Sequence, residues 1–145
     1  MIIKINTSSA TDIKQHLWSV SELFTPALST YVDIDKYAEK LFEKAQRIEV
    51  WYKGELAGLL AYYNNKDEKI AFITNVSVSC DIMGKGIASE MIKQMEACAI
   101  GEVSIIRLEV NDTNIRAKQF YIKNGFIYKC STDHGSIIME KNIEV

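Results

Sequence analysis

The chain has 145 residues, of which 48% are hydrophobic and 25% are charged, and its formal net charge is −2. This length predicts one domain, residues 1–145, with enough chain to bury a core without disulfides or a metal. The composition excludes a disordered or collagen-like chain, and the slight acidic balance argues against a large basic surface for nucleic acid.

Cysteine and histidine usage indicates a reducing compartment and argues against a metal site. The three cysteines stand at positions 80, 98 and 130, no CxxC pair occurs, and the only histidines are His16 and His134. A zinc site needs clustered ligands, whereas these residues are scattered. Residues 1–9 lack the apolar segment of a signal peptide, and no stretch is apolar enough to span a membrane. We therefore expect a cytoplasmic protein with no metal, nucleic acid or membrane partner.

The first third of the chain predicts a short strand and two helices. Isoleucines at positions 2, 3 and 5 favour a strand, and Ser9 and Asp12 have the spacing of a helix start. Pro26 is expected to end this first helix, and a second helix begins at Asp33 or Asp35. The predicted inward residues are Ile13, Leu17, Val20 and Phe24 on the first helix and Tyr37, Ala38, Leu41, Phe42 and Ala45 on the second.

The middle of the chain has the period of two that is typical of strands. Strands are predicted from 47 to 52, over 56–63 and over 70–78, and together they should form an antiparallel meander. The dipeptide Lys53-Gly54 predicts the first turn. The alternating residues of the first of these strands are Ile48, Val50 and Tyr52 on one face and Glu49 and Trp51 on the other.

The second half predicts helices over 87–99 and 114–124, separated by a strand over 103–110. Gly125 ends the second of these helices, and strands over 126–131 and 136–140 close the chain around a turn at 133–135. The order β-α-α-β-β-β-α-β-α-β-β is a mixed α/β layout. The inward residues of the helix over 87–99 are predicted to be Ile87, Met91, Met95 and Cys98.

The stretch 76–89 combines a strand, a glycine turn and a helix start. Glycines at 84 and 86 and Ala88 let a phosphate approach the main chain without a clash from a Cβ atom. Unpaired amides and the positive end of the helix dipole favour an anion at such a helix start, and Lys85 adds a positive charge. By itself the turn is equally compatible with small residues that serve only packing.

A second motif lies at 114–126, after a predicted strand that ends in Leu108-Glu109-Val110. It reads Asn114-x-x-Ala117-x-x-Phe120-Tyr121-x-x-Asn124-Gly125-Phe126. Together the two segments resemble the GNAT superfamily of N-acetyltransferases. The first is similar to that superfamily's pyrophosphate pattern Q/R-x-x-G-x-G/A, and the second to its N-x-x-A-x-x-F/L-Y-x-x-x-G-F pattern. The element order also agrees, so the resemblance covers essentially the whole chain and implies a GNAT fold of about seven strands and roughly four helices.

One position departs from the superfamily's pattern. Met83 stands where the pattern has Gln or Arg, and a methionine offers only its backbone amide to a pyrophosphate. Loss of a charge-assisted hydrogen bond costs about 1.5–3 kcal/mol when nothing replaces it. Lys85 or Arg116 can compensate. The alternative is a catalytically weak or inactive domain of the same fold that binds a coenzyme or a partner.

The resemblance implies acetyl-CoA as co-substrate. The main chain of the fourth strand would pair with the amides of the pantetheine arm, and one of its N–H groups would face the thioester carbonyl. Asn114 would either contact the pantetheine or only mark a helix start. The implied coenzyme-binding residues are Val76, Val78, Met83, Gly84, Lys85, Gly86, Ile87, Ala88, Ser89 and Asn114.

The resemblance also implies direct transfer to a primary amine, without an acyl-enzyme. Tyr121 corresponds to the general acid that protonates the departing thiolate, and packing beside Phe120 is the alternative role for this residue. Glu109, on the fifth strand, is one candidate to accept the proton of the amine, and its alternative is an exposed strand carboxylate with no role; a water chain could also serve as the base. The other candidate proton acceptors are Asp112, Asp81 and His134. Cys80 is expected to be a buried thiol with no role.

The sequence says least about the acceptor. The superfamily shapes the acceptor site with the first two helices, their connection and the loop between the last strands, which implies Phe24, Leu28 and Tyr31 as substrate-binding residues. These residue types admit an amino sugar, a polyamine, an amino acid or a protein amine, and a small molecule is our expectation. A homodimer stays open. A nucleotide-binding P-loop protein is disfavoured because the glycine turn lacks the G-K-S/T ending.

Overall fold

The computed structural model describes residues 1–24 and 26–143, and its element order confirms the predicted one. The helices are α1 (Ala10–Val20), α2 (Ile34–Lys44), α3 (Ile87–Ala99) and α4 (Ile115–Lys123). Short 3-10 turns lie at Ser21–Leu23, Leu28–Thr30 and Cys80–Ile82. The strands are β1 (Ile2–Ile5), β2 (Gln46–Tyr52), β3 (Glu55–Asn65), β4 (Ile70–Val78), β5 (Ile105–Asn111), β6 (Ile127–Ser131) and β7 (Ser136–Asn142).

The strands form a mixed sheet of seven in the order β1-β2-β3-β4-β5-β7-β6. Antiparallel pairs join β1 to β2, β2 to β3, β5 to β7 and β6 to β7. The parallel pairing of β4 with β5 covers residues 70–73 and 105–108. The chain divides into two compact units, of which the first holds Met1–Tyr62 with Asn75–Met95 and the second holds Tyr63–Thr74 with the residues from Glu96 onward.

Helix α1 of the first unit begins where the sequence predicts. The Ser9 hydroxyl accepts a hydrogen bond from the Asp12 N–H at 3.1 Å, and the Asp12 carboxylate accepts one from the Ser9 N–H at 2.9 Å. This reciprocal pair satisfies two amides that the helix cannot satisfy itself. The predicted inward residues Ile13, Leu17 and Val20 are all buried.

The predicted end of α1 at Pro26 is wrong. The helix ends at Val20 and tightens into the 3-10 turn Ser21–Leu23, in which the Phe24 N–H bonds to the Ser21 carbonyl at 3.3 Å. The Ser21 hydroxyl accepts the Ser29 N–H at 3.0 Å, so this serine is committed to the connection rather than to another helical turn. Phe24 consequently lies beyond the helix and is only half-buried.

Helix α2 begins after Asp33, whose carboxylate accepts the Lys36 N–H at 3.2 Å. The buried face of this helix and its end consists of Ile34, Ala38, Leu41 and Ala45. The prediction that Phe42 points inward is wrong, because Phe42 is 47% exposed. Its ring centroid lies 5.6 Å from the Arg47 guanidinium carbon, a cation–π contact.

The hairpin of β2 and β3 confirms the turn predicted at Lys53-Gly54. The two residues have φ of +52° and +79°, the pair of positive angles that a type I′ turn requires. The pairing of β2 with β3 shifts register beside Trp51, and Ala57 has no partner on β2. The Ala57 carbonyl accepts the Ser79 N–H at 2.7 Å, which attaches the segment after β4 to β3.

Strand β2 carries a buried ion pair that alternation alone does not indicate. Arg47 is 4% exposed and Glu49 is 0% exposed, and Arg47 Nε lies 3.3 Å from Glu49 Oε2. The Glu49 carboxylate accepts the N–H groups of Thr7 and Ser8 and both of their hydroxyls. Burial alone would raise the pKa of Glu49, but these hydrogen bonds outweigh it and the pKa is lowered. The carboxylate is therefore charged in the folded protein.

Arg47 connects this carboxylate to the end of α2. Its Nη1 donates to the carbonyls of Leu41, Phe42 and Ala45 at 3.2–3.3 Å, and its Nη2 donates to the Ser8 carbonyl at 3.2 Å. The Leu41 carbonyl also accepts the Ala45 N–H at 3.0 Å, and the Phe42 carbonyl belongs to the last turn, where a helix leaves carbonyls without a helical partner. The pair thus attaches both the start of α1 and the end of α2 to β2.

The second unit contains β5, β7, β6 and α4. Its large buried side chains include Ile106, Leu108, Met139 and Phe126, each at most 2% exposed. No residue of helix α4 is fully buried, and Tyr121 is half-buried. The Lys141 ammonium holds the end of α4 by donating to the Asn124 carbonyl at 2.8 Å, and it also pairs with Glu96.

Replacement of Glu49 by Gln should lower the free energy of unfolding by about 3–5 kcal/mol, because it leaves the buried Arg47 charge unpaired. Urea denaturation monitored by circular dichroism measures this loss. Asp112→Asn is the matched control, since Asp112 is 60% exposed and pairs with Lys118 at the surface. That change should cost less than about 1 kcal/mol. Equal losses in the two variants would contradict the role given to Glu49.

Candidate functional site

The turn between β4 and α3 has a main-chain conformation that only glycine adopts freely. Gly84 and Gly86 have φ of +77° and +72°. A Cβ atom at either position would meet no atom within 4 Å. The backbone conformation therefore requires these two glycines, and the space beside them is open to an approaching group.

The start of α3 differs from the starts of the other three α helices. Ser9, Asp33 and Asn114 each accept a main-chain N–H at the start of α1, α2 and α4. Gly86 precedes α3 and has no side chain with which to do so. Within 1–24 and 26–143, the N–H groups of residues 84–89 donate to no protein acceptor. Six consecutive amides at the positive end of a helix dipole thus lack a protein acceptor, an arrangement that binds anions.

The side chains around this turn contribute little else. Met83 is 45% exposed, and its thioether cannot donate a hydrogen bond to an anion. Lys85 is exposed between the two glycines. The helix behind them is anchored by Met91 and Met95, which are fully buried as predicted. The prediction that Cys98 points inward is wrong: Cys98 is exposed, and Ala99 takes the buried position one residue later.

Strand β4 alternates between two different environments at its end. Val76 and Val78 are half-buried on one face, whereas Asn75 and Ser77 are buried on the other. Ser77 Oγ lies 2.8 Å from Asn75 Oδ1 and 2.8 Å from His16 Nε2, so a buried polar chain runs from α1 to the strand. Burial lowers the pKa of His16 to about 4, against a smaller opposing effect of the Leu56 main chain.

This polar chain was not predicted from the sequence. Two signals could have found it. His16 stands three residues after Ile13 and beside Leu17, and therefore falls on the buried face of α1. Asn75 and Ser77 stand two apart in a strand, so they share a face.

Tyr121 occupies the end of α4, where the chain forms a Schellman motif. The Gly125 N–H bonds to the Ile122 carbonyl and the Phe126 N–H bonds to the Tyr121 carbonyl, both at 3.0 Å. Gly125 has φ of +93°, which confirms its predicted role as the left-handed cap. The Tyr121 ring packs edge-on against Phe126 with centroids 5.6 Å apart, and against Phe120 at 5.2 Å.

For Tyr121 and Asn114, the structure shows the alternative roles in packing and in starting the helix. The packing role of Tyr121 is present, and burial raises the pKa of its phenol to about 12. Asn114 is the N-cap of α4, since its side chain accepts the Ala117 N–H at 3.1 Å. The helix-start role of Asn114 is therefore present as well. The catalytic role of Tyr121 and the ligand contact of Asn114 stay predictions.

Two of the candidate proton acceptors are brought together in the second unit. Glu109 Oε2 lies 2.8 Å from His134 Nε2 and accepts the Ser136 hydroxyl at 2.7 Å. The Ser136 hydrogen bond, with the contribution of His134, lowers the pKa of Glu109. His134 Nδ1 also lies 3.1 Å from Asp133 Oδ1, and its pKa is raised by the Glu109 and Asp133 carboxylates. An imidazole between two carboxylates favours the protonated form, which cannot accept a further proton.

Of the remaining candidates, one is paired and one is exposed. Asp112 pairs with Lys118 at 2.9 Å, and Asp81 is exposed within the 3-10 turn Cys80–Ile82. The prediction that Cys80 is buried is wrong, because its thiol is exposed as the first residue of that turn. Arg116 is exposed on α4.

The predicted acceptor residues lie in the connection between α1 and α2, in the first unit. Phe24 is half-buried, Leu28 is 2% exposed and Tyr31 is 57% exposed. Of the three, Tyr31 therefore offers the most surface to an acceptor. Partial burial raises the pKa of the Tyr31 phenol.

Family comparison identifies the fold to which these elements belong. The family model described as the acetyltransferase (GNAT) family matches residues 12–126. The chain belongs to the GNAT family. The L-2,4-diaminobutyric acid acetyltransferase of Vibrio parahaemolyticus serotype O3:K6 (strain RIMD 2210633) is 35% identical over 67 residues. The match covers 45% of this chain and 37% of that relative, so the chain matches little more than a third of the relative's length.

Solved structures show the same GNAT fold at low sequence identity. The ribosomal-protein-S18-alanine N-acetyltransferase of Escherichia coli has a TM-score of 0.73 at 19% identity, covering 99% of this chain and 96% of the other. The PaiA N-acetyltransferase of Thermoplasma acidophilum, in complex with coenzyme A, has a TM-score of 0.72 at 20% identity, covering 98% and 99%.

The structure of this GNAT protein also bears on metals and membranes. The described residues contain no group of three or more His, Cys, Asp or Glu side chains placed to hold a metal ion. No helix in the part of the chain that the structure describes has the length and hydropathy needed to cross a membrane.

Titration of His16 should make the protein less stable in mild acid. The folded pKa of about 4 lies below the ordinary 6.5, so the contribution of neutral His16 is complete above pH 6.5 and is lost as the pH falls toward 4. The gap corresponds to about 3 kcal/mol. Urea denaturation between pH 7 and pH 4 should show this loss in the wild type and a shallower one in His16→Gln.

His134→Gln is the matched control, because the pKa of His134 is shifted in the opposite direction from that of His16. The pKa of His134 is raised, so any stability it contributes is present at low pH and lost as the pH rises. Removal of His134 should therefore leave the acid-induced loss of stability in place or deepen it. A wild-type pH profile in His16→Gln would contradict a neutral buried His16.

Proposed function

We propose that this chain is an acetyl-CoA-dependent N-acetyltransferase that transfers the acetyl group directly to a primary amine of a small molecule. The observation that carries the proposal is the row of six main-chain N–H groups at 84–89 that have no protein acceptor. This row includes the left-handed Gly84 and Gly86 and lies in a chain of the GNAT family. A pyrophosphate carries the charge that such amides and a helix start attract. The residues present therefore fit the coenzyme.

The donor would be held mainly by main-chain groups. The N–H groups of residues 84–89 would bind the pyrophosphate, and Lys85 would add a positive charge. The main chain of Val76 and Val78 would pair with the pantetheine amides, as an added strand pairs with a sheet edge. Met83 contributes no side-chain donor. This pattern makes affinity depend on backbone conformation more than on any single side chain.

In the reaction, acetyl-CoA supplies a thioester, whose acetyl carbon forms a C–N bond with the amine as the C–S bond breaks. Tyr121 would donate its phenolic proton to the departing sulfur. Burial favours this role in one respect: with a pKa of about 12 the phenol keeps its proton at every physiological pH. Backbone N–H groups of β4 would stabilise the negative charge on the carbonyl oxygen.

The amine must lose a proton, and Glu109 is our proposed acceptor. Its lowered pKa keeps it ionised at neutral pH, and its Oε1 forms no hydrogen bond within the described residues. A lowered pKa also makes it a weak base, which is the reason that transfer through water stays an alternative. We expect Phe24, Leu28 and Tyr31 to shape the acceptor site.

Two further observations support a small amine and a cytoplasmic location. The partial match to diaminobutyric acid acetyltransferase supports an amine acceptor of small size. The three cysteines are free and exposed, which favours a reducing compartment.

Met83 favours a second candidate, a GNAT domain that binds a coenzyme without efficient transfer, because its side chain cannot replace a Gln or Arg donor. Isothermal titration with acetyl-CoA, followed by thiol release with a panel of primary amines, distinguishes the two. Binding with turnover supports the transferase. Binding without turnover on any amine supports the second candidate, and absence of binding contradicts both.

Gly86→Ala should weaken acetyl-CoA binding by at least about tenfold, since a methyl group would enter the open space at the amides and a left-handed alanine costs roughly 1 kcal/mol. Titration calorimetry measures the affinity. Gly101→Ala is the control, because Gly101 has φ of +89° and equally open surroundings. The two variants should lose similar stability, and only Gly86→Ala should lose affinity. Equal affinities would mean that the coenzyme binds elsewhere.

Tyr121→Phe removes the proton donor and keeps both ring contacts, so stability and coenzyme affinity should be unchanged. The transfer rate should fall by about 10²-fold or more, as expected for lost acid catalysis. Steady-state CoA release with the best amine measures this rate. Tyr128→Phe, at a residue that is 58% exposed, should transfer at the wild-type rate. Wild-type turnover in Tyr121→Phe would leave Tyr121 only its packing role.

A further inference from the structure

An open cleft lies at the β1 edge of the sheet, entirely within the first unit. It has a volume of about 440 Å³ and is lined by Met1, Ile2, Lys4, Thr7, Trp51 and Lys53. This edge cleft falls within the size range of small-ligand sites. None of the residues assigned to the coenzyme or the acceptor lines it.

The edge cleft has an apolar floor. Ile2 stands opposite Trp51 in the antiparallel pairing of β1 with β2, so the two side chains share a face. Met1 and Ile2 are each 58% exposed. An exposed aliphatic pair beside an indole ring offers a flat apolar surface that a planar ligand can cover.

The charges of the edge cleft have one sign. Lys4 and Lys53 are its charged side chains, and no carboxylate lines it. Glu49 stands opposite Lys4 on β2, but it is buried and paired with Arg47. The Lys4 ammonium lies 5.9 Å from the Trp51 ring centroid, which places a positive charge beside the apolar floor. An anionic group with an aromatic body would match both features.

The indole N–H of Trp51 is not part of the open surface of the edge cleft. Its Nε1 is inaccessible to solvent and has no hydrogen-bond partner among the described residues. A ligand in the cleft therefore contacts the indole ring and not its N–H. The neighbouring register shift between Val50 and Trp51 is where the regular pairing of β2 with β3 is interrupted.

The geometry points to a binding site for a small aromatic carboxylate in the edge cleft. The ring covers Trp51 and Ile2, and the carboxylate lies between Lys4 and Lys53. This site is separate from the proposed transferase reaction and does not depend on it.

The test uses the full chain with no added N-terminal tag, because Met1 lines the cleft. The chain has two tryptophans, so a ¹⁵N spectrum contains two indole N–H signals, which Trp18→Phe assigns. Titration with 2-naphthoate should shift the Trp51 signal, because the bound ring stacks on this indole, with a Kd on the order of 0.1–1 mM. The Trp18 signal should stay in place, because Trp18 does not line the cleft and donates to Asp35 at 2.9 Å.

Variants separate the contributions, with calorimetry as the measure of affinity. Lys4→Met combined with Lys53→Met should weaken 2-naphthoate binding at least about tenfold, and Trp51→Phe about three- to tenfold. The control Lys66→Met removes an exposed lysine from the turn after β3 and should change nothing. The neutral analogue 2-naphthalenemethanol should bind at least about tenfold more weakly than the acid. Any of three results overturns the proposal. The first is no Trp51 shift at 2-naphthoate concentrations up to 10-fold above that Kd range, and the second is equal binding of the neutral analogue. The third is a loss of 2-naphthoate affinity in Lys66→Met equal to that of the double lysine variant.

Discussion

The charge pair of Arg47 and Glu49 connects most of the first unit. Both side chains are buried, and neither would be tolerated there alone, since an isolated charge in a protein interior costs several kcal/mol. Each is instead surrounded by partners: Glu49 by the amides and hydroxyls of Thr7 and Ser8, Arg47 by the carbonyls at the end of α2. The pair therefore fixes where α1 begins and where α2 ends. The connection between those helices carries the residues proposed to shape the acceptor site.

Local chemistry made several elements predictable from sequence. Ser9 and Asp12 mark a helix start because a hydroxyl and a carboxylate at that spacing satisfy each other's amides. Gly125 marks a helix end because a left-handed residue is needed there, and Lys53-Gly54 marks a turn for the same reason. Such signals depend on residues within a few positions of each other, so they survive without knowledge of the fold.

The features that escaped prediction depend on tertiary partners. Arg47 is buried where carbonyls at the end of α2 accept its N–H groups, and no local pattern contains that information. The prediction that Phe42 and Cys98 point inward rests on their apolar character alone. It fails because a shift of one residue along a helix turns the side chain by about 100° around the axis. Within the candidate site, the glycine turn was predictable. The chain from His16 to Ser77 was not, since it joins elements 61 positions apart.

The start of α3 affects the stability of that helix as well as the binding of an anion. A helix whose first amides lack a capping side chain forgoes roughly 1 kcal/mol relative to one that has a Ser, Asp or Asn there. In α1, α2 and α4 the protein supplies that group itself, whereas at α3 the position is open to a bound anion. Any anion bound at 84–89 would complete the helix in the way that Ser9 completes α1. Part of its binding free energy would then come from capping the first turn of α3. In the free protein, the amide hydrogens of that turn would exchange with solvent faster than those at the other three helix starts.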